Sequence, residues 1–185
     1  MTDILTATEL RFVRLLPAPV ETVWKYLTES ELRQRWFMGG SIDGRVGGDI
    51  EFVFDHDQLS DGDVPTPERF AGNVGRRWTE KLVRYEPPHA IAYTFGSDAD
   101  SIATFELKDA GEGKTLLTLV HSGIKNRDQA ANFGGGWTSH LAVLEARLEG
   151  RGVPDFWALH RESEDRAKAV LAGAETEKRP QATTC

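Results

Sequence analysis

From Gly47 onward the chain alternates. Ile50, Phe52 and Phe54 fall on one side of an extended segment, and Asp49, Glu51 and Asp55 fall on the other. That is the pattern of a strand with one covered face. Four further strand-like runs follow, at residues 70–83, 90–95, 102–107 and 115–121. Turn clusters separate the last four runs: Glu86-Pro87-Pro88, Gly96-Ser97-Asp98 and residues 109–113. Connections this short predict an antiparallel meander. The run 70–83 is long for one strand and is read as one or two, broken near Gly75. Upstream, residues 8–16 read as a first strand. Leu10, Phe12 and Leu16 are apolar there, but Val13 and Leu15 fall between them, so both faces are expected to be partly covered.

Helical spacing appears in three places. Val20, Val23, Trp24 and Leu27 follow Pro19, a residue tolerated in a first helical turn. Thr28 and Glu31 match a capping box, which predicts a second short helix carrying Leu32 and Trp36 and stopped by Gly39 and Gly40. After Gly123, Trp137, Leu141, Leu144 and Leu148 repeat at four, three and four residues, an apolar stripe along a long helix. Gly134, Gly135 and Gly136 stand at its expected start. A glycine costs about 1 kcal/mol in a helix interior. The three are therefore read as a flexible gate, as a place where a ligand approaches backbone closely, or as a loop preceding the helix, with Gly136 permitting close helix–sheet packing. A last segment from Pro154 reads as helical to about Leu171. Phe156, Trp157 and Leu159 lie in its first turns and predict docking at that end only. The organisation expected is a tail at 1–7, one domain at 8–150, a helical extension at 151–173 and a disordered tail at 174–185.

Composition narrows the partners. The chain has 185 residues, a formal net charge of −7 and an isoelectric point near 5.3. That lacks the basic footprint that nucleic-acid or anionic-membrane binding requires. Hydrophobic residues are 39% and charged ones 28%, as in a globular domain. Cys185 is the single cysteine, so no internal disulfide forms, which fits a reducing compartment. The first ten residues lack a signal-peptide pattern and no apolar run approaches the ~20 residues of a membrane helix, so a cytoplasmic location is expected.

The order of elements, with local wording, resembles a known family. Pro19-Val20-Glu21-Thr22-Val23-Trp24, Leu27-Thr28-Glu29-Ser30-Glu31-Leu32 and Trp36 resemble the opening of the family named after the activator of the heat-shock protein 90 ATPase. Val46-Gly47-Gly48-Asp49-Ile50-Glu51-Phe52, Glu86-Pro87-Pro88-His89, His121-Ser122-Gly123 and Gly136-Trp137-Thr138-Ser139-His140-Leu141 continue it in order. The family lies in the START-like superfamily. The resemblance implies an α+β helix-grip fold: a curved antiparallel sheet of about six or seven strands around a long C-terminal helix, with two short helices after the first strand. It also implies a cavity between sheet and helix, but no single activity.

Candidate cavity residues follow from that arrangement: Trp36, Phe37, Phe52, Phe54, Trp78, Tyr93, Phe95, Phe105, Gly136, Trp137, Leu141 and Leu144. Most of these aromatics would equally fill a core. Trp36, Phe37 and Trp137 are the preferred pocket residues, with the Trp36–Gly40 turn and the glycine segment as the mouth. His121 continues the parity of Leu117 and Leu119, and His140 lies one turn after Trp137. Either histidine could move a proton, or sit satisfied in the core. No inward Asp or Glu is placed. The acidic loop at 55–63 fails as a calcium loop, with Leu59 in the fifth position and Thr66 where a glutamate is required. His56 there lacks metal-ligating neighbours in sequence. Arg33, Arg35, Arg76, Arg77 and Arg84 read as solvated charges. No cofactor or metal is expected. Three readings remain: binding of a small apolar molecule without catalysis, which is favoured; a cyclase or hydrolase acting on an aromatic or polyketide-like substrate through His121 or His140; and a chaperone-associated protein–protein module, which rests on the resemblance. A homodimer is a further expectation, through a sheet face or the final helix.

Overall fold

The computed structural model describes residues 3–96 and 99–176. Strands β1 (Ile4–Leu5) and β2 (Glu9–Leu16) lead into two helices, α1 (Val20–Thr28) and α2 (Ser30–Arg33). Strand β3 (Asp49–Val53), a 3-10 turn at Asp57–Leu59 and the short helix α3 (Glu68–Ala71) follow. Strands β4 (Arg77–Glu86), β5 (Ala90–Thr94), β6 (Ile102–Gly111) and β7 (Lys114–Ser122) complete the sheet. Helices α4 (Arg127–Leu148) and α5 (Phe156–Thr176) come last. All neighbouring strands are antiparallel, in the order β1-β2-β7-β6-β5-β4-β3. The expected meander is β4 to β7.

One face of this sheet grips α4. Strand β7 alternates, with Thr115, Leu117, Leu119 and His121 buried, and Ala103, Phe105 and Leu107 do the same on β6. Against them α4 buries Trp137, Leu141 and Leu144 of the predicted stripe, while its last member, Leu148, is half-buried. Fully burying such aliphatic and aromatic side chains stabilises the fold by about 1.5–3 kcal/mol each.

Several sequence expectations are corrected by local chemistry. Ile4–Leu5, in the segment read as a tail, pairs with Arg11 and Leu10 as an edge strand. Leu15 is 43% exposed, so the outer face of β2 is not covered there. No capping box forms at Thr28: its hydroxyl donates back to the Trp24 carbonyl at 2.8 Å and closes α1 instead. Helix α2 ends at Arg33, and Trp36 lies in the turns beyond it. The run 70–83 is not one strand; its start belongs to α3, and β4 begins at Arg77 after Gly75 takes a left-handed φ of +75°.

The glycines are not a loop before the helix. Helix α4 starts ten residues earlier than the apolar stripe suggests, because the Asn126 side chain caps it by accepting the Gln129 N–H at 2.9 Å. Gly134 to Gly136 are therefore helical. A Cβ on Gly135 would lie 2.6 Å from Glu164 Cα, and one on Gly134 would lie 3.2 Å from Ala167 Cβ. The two glycines let α5 pack directly onto α4. That docking runs through Phe156, His160, Ser163, Ala167 and Leu171, all buried, so α5 is not docked by its first turns alone. The expected tail at 174–185 falls mostly on residues 177–185, outside the described residues.

Arg33 also departs from expectation. It is 2% exposed, not solvated. Its Nε donates to the Met38 carbonyl at 2.7 Å, and one terminal nitrogen donates to the carbonyls of Gly40 (2.9 Å) and Glu51 (2.7 Å). The guanidinium carbon sits 5.2 Å from the Phe52 ring. Burial pulls its pKa down to about 10, so it stays cationic at neutral pH. It thereby ties the 34–40 turn to β3.

Candidate functional site

A cavity of about 400 Å³ opens beside the gripped helix. Its walls come from five places: the 34–40 turn, the end of β3 with the segment beyond it, β4 with the end of β5, one face of α4, and the first turns of α5. Phe37, Met38, His56, Trp137, His140, Trp157 and His160 are buried and form the floor. Arg76, Gly96 and Asn132 are exposed and form the rim. The rings touch in a continuous set. Phe37 and Phe95 each lie 5.1 Å from Trp137, and Phe70 stacks on Trp157 at 4.9 Å.

The predicted site residues divide. Phe37, Phe54, Trp78, Phe95, Gly136, Trp137 and His140 line the cavity. Gly136 faces open space: nothing lies within 4 Å of a Cβ built there. Trp36, Phe52, Tyr93, Phe105, Leu141, Leu144 and His121 are buried behind it, as core. Trp36 is fixed there by its Nε1–H, which donates to the Tyr26 carbonyl at 2.8 Å. Burial raises the Tyr93 phenol well above its ordinary pKa. The Trp36–Gly40 turn supplies floor, where a mouth was expected.

His121 is a structural histidine. Trp137 Nε1–H donates to its Nδ1 at 2.9 Å, so the proton sits on Nε2, which donates to Ser101 Oγ at 2.8 Å. The Ser101 hydroxyl passes on to the Phe95 carbonyl at 2.7 Å. Burial lowers the His121 pKa to about 4, so the ring is neutral. This chain of bonds fixes the tryptophan that backs the cavity.

The floor instead holds three histidines. His140 Nδ1–H donates to the Trp36 carbonyl at 2.7 Å. His160 Nδ1 lies 3.0 Å from Ser139 Oγ, and the Ser139 hydroxyl donates to the Gly136 carbonyl at 2.9 Å. His56 stacks on Phe54 at 4.0 Å and meets His140 edge-on at 4.9 Å. Burial, with the neighbouring His160 adding repulsion, lowers the His56 pKa to about 3. Burial also holds His140 well below its ordinary value and lowers His160. His56 Nδ1 and Trp157 Nε1 are buried without a protein hydrogen-bond partner.

Sequence reasoning missed much of this set. His56 belongs to the acidic loop that fails as a calcium site and lacks metal-ligating neighbours in sequence, yet it is 5% exposed. Trp157 and His160 are one turn apart on α5, and that spacing was the available signal. Glu80 was missed although it shares the parity of Trp78 on β4; it lines the cavity and accepts a hydrogen bond from Thr94 Oγ1. Arg76 is at the rim, close enough to Trp78 for a cation–π contact at 6.0 Å. No group of three His, Cys, Asp or Glu side chains among the described residues is placed to hold a metal ion. No helix among them is long and apolar enough to cross a membrane.

The sequence profile of the Activator of Hsp90 ATPase homolog 1-like proteins matches residues 17–149. The chain belongs to this family. A solution structure of a Bordetella parapertussis family relative, the protein encoded by gene BPP1335, is 33% identical, with a TM-score of 0.77. The likeness covers 92% of this chain and 96% of that one. CalU16 from Micromonospora echinospora is 20% identical at a TM-score of 0.64, over 92% of this chain and 98% of that one. An Aha1 dimer from Colwellia psychrerythraea is 20% identical at 0.56, over 80% of this chain and 97% of that one. These last two share the fold. No curated protein matches the chain. The α+β helix-grip architecture of the family is the one described above, and α5 lies outside the residues that the family profile matches.

Proposed function

We propose that the protein binds a small, largely aromatic or apolar molecule in this cavity, without catalysing a reaction on it. One observation carries the reading: a cavity of about 400 Å³, walled by aromatic rings, with a buried floor and an exposed rim. Its volume lies within the range that holds drug-sized ligands. Histidines of lowered pKa weaken the catalytic alternative. A general base works best with a pKa near the working pH, and His56 near 3 is far from it. His121, one of the two histidines considered for catalysis, is spent on Trp137 and Ser101. The test is native mass spectrometry of freshly purified protein, followed by thermal shift with a library of lipids and aromatic compounds. A co-purified molecule, or a ligand-dependent rise in Tm that is lost when Gly136→Leu fills the cavity, supports binding. A Tm unmoved across the library refutes it.

Family membership supports a second reading, association with a chaperone, since the family is named for an ATPase activator. Capture of an Hsp90-type chaperone by the tagged chain tests it, and a pull-down without one refutes it. Self-association, seen in the Colwellia relative, is tested by light scattering during size exclusion.

A further inference from the structure

The floor of the cavity has fixed hydrogen-bond polarity. His140 spends its Nδ1–H on the Trp36 carbonyl at 2.7 Å. A neutral imidazole carries one proton, so its Nε2 is an acceptor. His160 repeats the arrangement. The Ser139 hydroxyl is committed to the Gly136 carbonyl, so Ser139 Oγ receives the proton of His160 Nδ1 at 3.0 Å. His160 Nε2 is then an acceptor too. Both rings line the cavity. Burial opposes the second proton that would turn either nitrogen into a donor. The same end of the cavity holds Trp157, whose Nε1–H is buried with no protein acceptor among the described residues. His56 completes that end. Its ring lies 5.7 Å from that of Trp157, and its Nδ1 is equally unanswered.

From this we infer that the ligand is a flat aromatic molecule bearing a hydroxyl group at its buried end. The hydroxyl donates its proton to a histidine Nε2, while its oxygen lone pairs are available to the Trp157 N–H. This rests on the binding reading and adds to it the chemical class of the ligand. A hydroxyl suits the floor because it donates and accepts through one atom. A carboxylate fails because it offers no proton to the two acceptors and would be buried among neutral rings without a cation. An ether or ketone fails because it only accepts. The ring body takes the aromatic walls of Phe37, Phe95, Trp137 and Phe70.

The experiment compares three probes of one ring system, 2-naphthol, 2-methoxynaphthalene and naphthalene, by tryptophan fluorescence and calorimetry. Wild-type protein is expected to bind 2-naphthol at least tenfold more tightly than the methyl ether, with naphthalene close to the ether. In H160F, and separately in H140F, that preference falls severalfold toward one while naphthalene still binds. The H160F variant keeps the test open if removing the His140 bond to Trp36 impairs folding. Equal affinity of naphthol and ether in the wild type overturns the inference and leaves the binding reading intact. So does a preference unchanged in both variants. If none of the three probes binds, the inference falls, and the library screen decides the binding reading separately.

Discussion

Adjacent glycines on α4 are expected to respond with opposite sign to the same substitution. Replacing glycine by alanine in a helix interior gains about 1 kcal/mol from reduced backbone freedom in the unfolded chain. At Gly136 nothing opposes this gain, because a Cβ meets no atom within 4 Å and points toward the cavity. G136A is therefore expected to be stabilised by about 0.5–1 kcal/mol. At Gly135 the same Cβ would stand 2.6 Å from Glu164 Cα and 2.9 Å from both its nitrogen and its Cβ. These are mostly backbone atoms of α5, so no side chain can swing away. The helices must separate, and overpacking of this kind costs about 1–3 kcal/mol or more. Subtracting the propensity gain from the upper end of that range, which the backbone clash favours, leaves G135A destabilised by up to about 2 kcal/mol. Gly134 is intermediate, since its closest neighbour at 2.9 Å is the end of the Leu5 side chain, which can move. Urea denaturation followed by circular dichroism reads all three, with the m-value confirming an unchanged two-state transition. Loss of stability in G136A together with a gain in G135A would refute the assignment of Gly135 to the helix–helix contact and of Gly136 to the cavity. A ligand titration separates the two sites again. The added methyl of G136A takes up cavity space and weakens binding, although the protein is more stable.

Other outcomes follow from buried polar groups. Histidines 56, 121, 140 and 160 all have pKa values lowered on folding, so the unfolded chain binds more protons than the folded one as the pH falls below about 6.5. Stability is thus full above that pH and is lost on acidification, through about 4 for His121 and about 3 for His56. By pH 5 each fully depressed histidine removes about 2 kcal/mol, and H121L is expected to flatten its share of a stability–pH curve. Arg33→Ala deprives three carbonyls of a charged donor and is expected to cost at least about 3 kcal/mol by thermal or chemical denaturation, with Arg33→Lys recovering only part. Ser101→Ala leaves the His121 Nε2–H unanswered and should cost about 1–3 kcal/mol, a loss read as a lower midpoint in urea.

What was legible in the sequence shares a physical cause. Strand parity at Leu117, Leu119 and His121, and the stripe Trp137, Leu141 and Leu144, show through because one face of each element is buried against large side chains. The helix–helix contact did not show, because it is built from an absence of side chain. Gly134, Gly135, Ser163 and Ala167 carry little or no apolar weight, so a periodicity search passes over them, and the glycines even argue against a helix. Their meaning depends on Glu164 and Ala167, some thirty residues away. Arg33 and His56 were misread for a related reason. A charge is expected in water unless partners are known, and the partners of Arg33 are backbone carbonyls that no side-chain pattern reveals. The cavity floor combines both failures. The apolar spacing places Phe37, Trp137 and His140 near one another, but the floor closes only when α5 docks through small residues and brings Trp157 and His160 against them. The extension beyond the family-matched segment therefore supplies part of the cavity wall, through Trp157 and His160, and Gly134 and Gly135 let it pack there without lining the cavity themselves.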